Sequence, residues 1–460
     1  MTASSRRSRV LVIVQNLPVP LDRRVWLECQ ALRAQGYEVS VVCPKGPGDP
    51  GYEEIDGVHI HKYAPAPEAK GLLGFAIEFA YSWVRTALLS LRVRRRHGFD
   101  VIQACNPPDT YWLLALLWRI RGVKFVFDQH DLNPELYISR FGKPAGLAGR
   151  MQLGALALLE RHTYRVADRV ISTNGSYKRV AERRGGLDPA LVTVVRSGPD
   201  TTVMRPIYPD PTIRAGAEHV LAYIGIMGPQ DGVENILAVM DELVHRRGRT
   251  GVRAVLMGFG DCLEDLRREC TERRLDQNVV FTGRVGPAEI AQNLSAADLG
   301  LGPDLNTPLN NVSTMNKTME YMAYALPSVS FDLVETRVSA GETGVFIPSG
   351  DIVGFADAVE ALLDDPERRT RLGLAARRRV VAELDWKPQA EAYVGVFDAL
   401  MDEYPDAARL AVWPYAARPE KATSADRASV DLDDAEEFAR FARERTAPSV
   451  VAPSRRSEDG

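Results

Sequence analysis

The chain has 460 residues, 61 acidic against 57 basic, with 45% hydrophobic residues. That length accommodates two domains with sizeable cores, and the near balance of charge leaves no electrostatic footprint for nucleic acid. The five cysteines, Cys29, Cys43, Cys105, Cys262 and Cys270, form no pair at metal-ligand spacing, which favours a reducing cytosol; the polar start before Arg9 leads into a strand without a secretory signal.

The elements alternate from the first strand onward. Residues 9–15 form a nearly continuous apolar run, as expected of a buried parallel strand. A loop ends at Asp22, a helix is predicted over residues 23–35 with Gly36 stopping it, and residues 37–44 give the next strand. Asp22 and Arg23 thus lie near the mouth of the sheet. Residues 57–62 read as a strand. Residues 72–96 read as a long helix, apolar but carrying Glu78 and Arg85 and ending in a basic cluster up to His97. Those charges argue against a membrane span. Two readings stand: a helix lying on an anionic membrane surface through Leu72–His97, or a core helix with a solvated basic end.

Strands at 99–104 and 124–128 end in polar clusters that contain Asp109 and the run Asp128-Gln129-His130-Asp131, with Glu135 just beyond. Helices are predicted over 110–121, 149–167 and 176–184, and strands over 169–173 and 192–195, the last ending near Arg196. Residues 202–218, rich in proline and polar groups, read as a linker. The alternation then restarts with strands near 220–226, 252–257, 279–282, 299, 329 and 345–347, and helices near 232–246, 263–273, 289–295 and 352–363, followed by a helical region over 376–400. Beyond residue 404 the composition fits a disordered tail in which only 433–445 is helical. The expected fold is α/β, two Rossmann-like doubly wound domains (1–205 and 206–385) facing across a cleft, with residues 386–404 crossing back to the first and 405–460 as the tail.

The stretch 313–327 organises the second half. Ser313 or Thr314 is placed to cap a helix, and Met315, Met319, Met322 and Ala323 recur at helical spacing. Lys317 and Glu320 share a face near the helix start, which lies beyond a strand end and is a natural anion site. Lys317 suits a phosphate and Glu320 the diol of a ribose, with Thr314, Met315 and Asn316 beside them. The same spacing also fits an ordinary surface pair.

The segment Glu-Tyr-Met-Ala-Tyr-Ala-Leu-Pro (320–327) resembles a motif of the retaining glycosyltransferases of family 4, in which the glutamate binds the ribose of a nucleotide-sugar. Segments at 20–28, 194–200, 258–260, 280–285, 341–351 and around Trp386 are similar to that family in order and spacing, so the resemblance runs from Arg9 to about Leu400. It implies the GT-B fold and transfer of a sugar from a nucleotide-sugar, a UDP-sugar by preference, to a hydroxyl with retention. It places the chain among cell-surface polysaccharide and glycolipid transferases, with a lipid-linked or glycan acceptor, in the cytoplasm and peripheral to the inner membrane face. It implies no cofactor and no metal, and no Asp-x-Asp triplet stands at a strand end. The resemblance also assigns a sugar- or acceptor-contacting role to His130 and a nucleobase flank to Arg284 and Val285; position near the strand ends makes Asp22, Arg23, Asp109, Asp131 and Glu135 cleft candidates, with helix capping, pairing and turn shaping as the alternative reading.

The chain departs from the family pattern at three positions. Val312 stands eight residues before Glu320 where members carry a first glutamate, and Ile226 and Asp231 stand where members carry the arginine and lysine that contact the diphosphate. Either Lys317, with Arg196, supplies the missing charge, or catalysis is impaired; the first reading is adopted. The rivals are a sugar-nucleotide 2-epimerase of the same fold and a non-catalytic nucleotide-sugar-binding partner.

Overall fold

Apolar side chains on both faces of a strand demand cover from both sides, and the computed structural model satisfies this with two sheets. It describes residues 8–66, 71–144, 146–401, 429–432 and 434–446. The first sheet holds β1 (Arg9–Ile13), β2 (Glu38–Pro44), β3 (Tyr52–Ile55), β4 (Val58–Tyr63), β5 (Val101–Cys105), β6 (Lys124–Gln129), β7 (Arg169–Ser172) and β8 (Val192–Val194). Its order is β3-β4-β2-β1-β5-β6-β7-β8, parallel except for β3, which pairs antiparallel with β4. The second holds β9 (His219–Ile224), β10 (Val252–Met257), β11 (Val279–Gly283), β12 (Leu299–Gly302), β13 (Ser328–Phe331) and β14 (Gly344–Ile347) in the order β11-β10-β9-β12-β13-β14, all parallel. Strand order reverses between β1 and β5 in one sheet and between β9 and β12 in the other. Crevices beyond the carboxyl ends of such strands are where doubly wound sheets bind ligands.

Among the described residues, the first unit runs to Ser197 and takes in the helix Trp386–Met401; the second runs from Gly198 to Asp385 and takes in the helix Ala435–Thr446. The helix Trp386–Met401 joins the first core. Tyr393, Val394 and Phe397 bury with Leu27 and Ala31, and Tyr37 donates to Asp398 at 2.6 Å.

Three expectations are corrected. Strand β3 escaped the sequence reading because its side chains are half exposed and carry Glu53 and Glu54; its turn, Asp56 and Gly57, has φ of 50° and 77°, as a two-residue hairpin turn requires. The helices Asn133–Phe141 and Val334–Ala340 were also unforeseen. The supposed linker is packed onto the second unit: Ile207 N donates to Ser295 Oγ (3.1 Å), Asp210 N to Gln292 Oε1 (2.8 Å), and the buried Arg214 to Ala296 O (2.9 Å). In the tail the helix expected over 433–445 is present as Ala435–Thr446. Phe438 and Phe441 bury against Ala325 and Val430, and Arg445 donates to the carbonyls of Ser295, Tyr324 and Ala325 at 2.8–3.0 Å. Residues 402–428, 433 and 447–460 of that tail lie outside the described residues.

Candidate active site

In the first unit the site grows from the start of the helix Arg23–Ala34. Asp22 caps it, accepting from Val25 N at 3.2 Å, and Arg23 is exposed. The next residue, Arg24, turns inward beside Glu28 one turn later. Its guanidinium donates to Asp128 Oδ1 (3.1 Å), Val195 O (2.9 Å) and Ser197 Oγ (3.0 Å), and its Nε lies 2.9 Å from Glu28 Oε1. Gln103 Nε2 donates to both carboxylates, at 2.8 Å to Glu28 and 2.9 Å to Asp128. His130 Nε2 is 2.8 Å from Asp128 Oδ2.

This network fixes its own charges. Burial raises Asp128, but Arg24 and His130 overcome that and hold it well below the usual carboxylate range. Burial, reinforced by Asp128, pushes Glu28 up to about 8, so the pair keeps one proton. Burial works against a charged His130, yet the carboxylate of Asp128 outweighs it and raises the imidazole. His130 is therefore held at the carboxyl end of β6 between Asp128 and Arg24, whose Nε lies 3.2 Å from His130 Nε2, with its imidazole raised by the carboxylate.

Ligand atoms of Glu28, Cys105, Asp128 and His130 lie within 4.8 Å of one another, a donor set of metal-ligating types. They do not fit a cation. The guanidinium of Arg24 already contacts three of the four, and burial with Asp128 and Glu28 nearby drives the Cys105 thiol far up, away from the thiolate a metal needs.

Asn106, not foreseen from sequence, gathers the other candidates. Its Oδ1 accepts from His130 N (2.7 Å) and Asp131 N (3.1 Å), and its Nδ2 donates to Asp131 O (2.8 Å) and Asp109 Oδ1 (3.1 Å). Asn133 donates to the other Asp109 oxygen, and burial pushes Asp109 up to about 7. Burial also raises Asp131. So Asp109, His130 and Asp131 share one loop assembly. Glu135 does not join it: it pairs with Arg184, which also holds Glu160. The Arg196 backbone N–H donates to Gln389 Oε1 at 2.8 Å.

In the second unit the candidates converge on the switch between β9 and β12. The helix Asn316–Ala323 starts after Met315, not at Ser313 or Thr314, and no side chain caps it; Ser313 Oγ donates instead to Leu309 O (2.8 Å). Lys317 is buried. Its Nζ meets both oxygens of Asp304, at 2.7 and 2.9 Å, and lies 5.3 Å from the centre of the Tyr223 ring. Asp304 was not foreseen; it stands at the strand-end loop after β12. Glu320, Thr314 and Met315 are half-buried, and Asn316 is exposed.

The loop after β9 approaches closely. A Cβ on Gly225 would lie 3.4 Å from Lys317 Cε, and one on Gly258 would stand 1.9 Å from Gly225 O, so the two strand ends can meet only through glycine. Ile226, at a family cation position, is exposed and carries no charge. Asp231, at the other, accepts from Gly228 N at 2.9 Å and braces the turn. Asn310, beside Val312, donates to Gln230 O (2.8 Å) and Leu305 O (3.0 Å), tying the two loops together. Arg284 is exposed with its guanidinium 4.7 Å over the Phe259 ring, and Val285 packs against the core below.

Residues 21–198 match the family model described as Glycosyl transferase 4-like domain, and residues 218–365 match that described as Glycosyl transferases group 1. The chain is 25% identical over 400 residues to the glycogen synthase of Mycobacterium tuberculosis, covering 82% of this chain and 90% of that protein. Among solved structures it is similar to sucrose-phosphate synthase from Thermosynechococcus elongatus (TM-score 0.69, 20% identity, 86% of this chain and 100% of that one). It is also similar to HepE of Anabaena in complex with UDP-glucose (TM-score 0.62, 15% identity, 86% and 100%).

Proposed function

We propose a donor, an acceptor and a charge arrangement from one premise: the chain belongs to the family 4 glycosyltransferases, has their GT-B fold of two Rossmann-like domains, and is a glycosyltransferase. Its donor is a UDP-sugar, and transfer to the acceptor hydroxyl retains the anomeric configuration. The observation that carries this is the uncapped first turn of the helix Asn316–Ala323, with Lys317 in its first turn and Glu320 one turn on, at the switch point of the second sheet. The similar HepE structure holds UDP-glucose.

The leaving group is a nucleoside diphosphate, so the chemistry needs positive charge where the bridging bond breaks. With Ile226 and Asp231 unable to supply it, Lys317 and the N–H groups of the first helical turn carry the load. Asp304 holds the ammonium in place until the diphosphate competes for it. Glu320 accepts from the ribose hydroxyls. In the first unit, His130 donates to the donor sugar or to the acceptor. No divalent ion or cofactor takes part.

The acceptor is lipid-linked or a growing polysaccharide of the cell envelope, and the enzyme works in the cytoplasm at the membrane surface. No helix among the described residues is long and apolar enough to cross a membrane.

Thermal shift with UDP-, GDP-, ADP- and TDP-sugars tests the donor. A shift with UDP-sugars that is lost in Lys317→Ala and Glu320→Ala is expected. A shift with another nucleotide alone, or one that both variants keep, overturns the assignment. Conversion of the UDP-sugar to an epimer without acceptor would replace transfer by epimerisation.

A further inference from the structure

The helix Gly71–Arg96 buries Leu89 and Val93 in the first core, yet its outer face is not wholly polar. Ser82, Thr86 and Ser90 point inward and are buried, while Ile77, Val84, Leu88 and Leu91 point outward at 54, 50, 55 and 45% exposure. The inward polar groups are satisfied within the unit: Ser90 Oγ donates to Ala87 O (2.7 Å) and accepts from Trp118 Nε1 (3.2 Å), and Thr86 Oγ1 lies 3.4 Å from Tyr111 Oη. Nothing among the described residues covers the outward Val84, Leu88 and Leu91. Their spacing, at 84, 88 and 91, makes one stripe along the helix. The Trp118 contact sets the helix Trp112–Arg119 alongside, and its Leu113 and Leu117, with Ile120 just beyond, are exposed as well.

Next to the stripe runs a groove of about 840 Å³ between this helix and the β3–β4 hairpin. Lys62 in its wall is already paired, at 2.6 Å with both Asp49 and Glu53. Lys45, Arg85, Arg92, Arg95 and Arg96, also in its wall, make no ion pair with any described residue. Five unspent cations beside an outward apolar stripe complement a surface that is anionic at its edge and apolar behind it.

We propose that this face docks on a bilayer carrying anionic phospholipids, with the stripe entering the acyl boundary and the groove taking phosphate headgroups. The inference deepens, and rests on, the placing of the acceptor at a membrane surface.

The test is sedimentation of the full chain with vesicles of pure phosphatidylcholine and with vesicles of equal parts phosphatidylcholine and phosphatidylglycerol, without nucleotide. Binding to the anionic vesicles alone is expected, weakening with salt. Arg92→Ala with Arg95→Ala lowers the partition coefficient about 25-fold, roughly fivefold per arginine. Leu88→Ser with Leu91→Ser abolishes the binding that survives high salt. All four positions are exposed, and an unchanged melting temperature confirms that the variants fold. Failure of the wild type to sediment, or variants that sediment as it does, overturns the proposal. So does a concentration-dependent dimer that Leu88→Ser with Leu91→Ser dissolves, since a second copy would then cover the face. A chain that binds vesicles but no nucleotide leaves this proposal standing and sinks the UDP-sugar donor; one that binds UDP-sugar but no vesicles does the reverse.

Discussion

Each half of the molecule buries a cation against an aspartate at the carboxyl end of its sheet, and the two are held very differently. Arg24 in the first unit has five partners: Asp128, Glu28, His130 and two oxygens near the end of β8. Every direction of its guanidinium fork is spoken for, and Gln103 braces both carboxylates from behind. Lys317 in the second unit has one carboxylate and the face of one ring. An arginine fork meets several fixed acceptors at once and stays put, whereas an ammonium on a flexible stem exchanges one acceptor for another. The contrast marks Arg24 as a fixed positioning residue beside Asp128 and His130, and Lys317 as a cation whose single carboxylate partner is open to exchange.

Removing the first cation should do the greater harm to folding. Arg24→Met leaves Asp128 charged and buried without its strongest partner. A loss of about 3–5 kcal/mol in urea denaturation is expected. A loss below about 1 kcal/mol would mean that the network is solvated and the contrast with Lys317 is false.

The same unit should show its burial as a pH dependence. Burial raises Asp109 to about 7 from an unfolded value near ~3.9, so the native state keeps a proton that the unfolded chain has released. Its contribution to stability is complete below about pH 4 and is lost as pH rises towards about 7, by at most ~1.4 kcal/mol per pH unit. Asp109→Asn should remove that slope from the wild-type profile, because Asn133 can turn its amide over to face the new one. Parallel profiles for the two proteins would show that Asp109 is ionised throughout.

In the second unit the largest effect should fall on chemistry. Lys317→Ala is expected to lower kcat about 100-fold, the scale for losing one donor to a developing oxyanion, with little loss of stability once Asp304 is relieved by Lys317→Ala with Asp304→Ala. Arg445 gives an intermediate case: a buried cation satisfied by the carbonyls of Ser295, Tyr324 and Ala325, the last two just past the helix that carries Lys317. Arg445→Ala orphans those carbonyls, and a loss of about 2 kcal/mol in the melting of the full chain is expected.

The strands were legible because a parallel strand buried on both faces is written as an unbroken apolar run; β1 and β9 are of this kind. Strand β3, half exposed and acidic, carried no such run, although Asp56-Gly57 was a hairpin signal. Lys317, Glu320 and His130 could be picked out because local spacing and strand ends mark them. Arg24 could not: beside Arg23 at a helix start it reads as solvated, and its partner Asp128 is 104 residues away. The one local hint was the four-residue spacing from Arg24 to Glu28. Asp304 stood in plain view in the loop after β12, but nothing in the sequence says which of the nearby groups it binds. The tail helix was readable from its pattern, whereas the docking of Phe438, Phe441 and Arg445 depends on the shape of a surface assembled from residues far upstream.

The finest test of the contrast is the substitution Asp304→Asn. If Asp304 merely parks the ammonium, removing its charge frees Lys317 for the diphosphate, and the amide oxygen still accepts one of the two hydrogen bonds now made at 2.7 and 2.9 Å. The cost of drawing Lys317 from a charged partner then falls by about 1.4 kcal/mol, which is roughly a tenfold gain in affinity for UDP. If instead Asp304 aims Lys317, the ammonium loses its direction, and affinity and kcat fall together. Titration of UDP into the wild type and the variant separates the two. A gain in affinity keeps Lys317 as an exchangeable cation. A loss would make the second pair a fixed support like the first, with the uncapped turn at Asn316 left as the main source of positive charge for the leaving group.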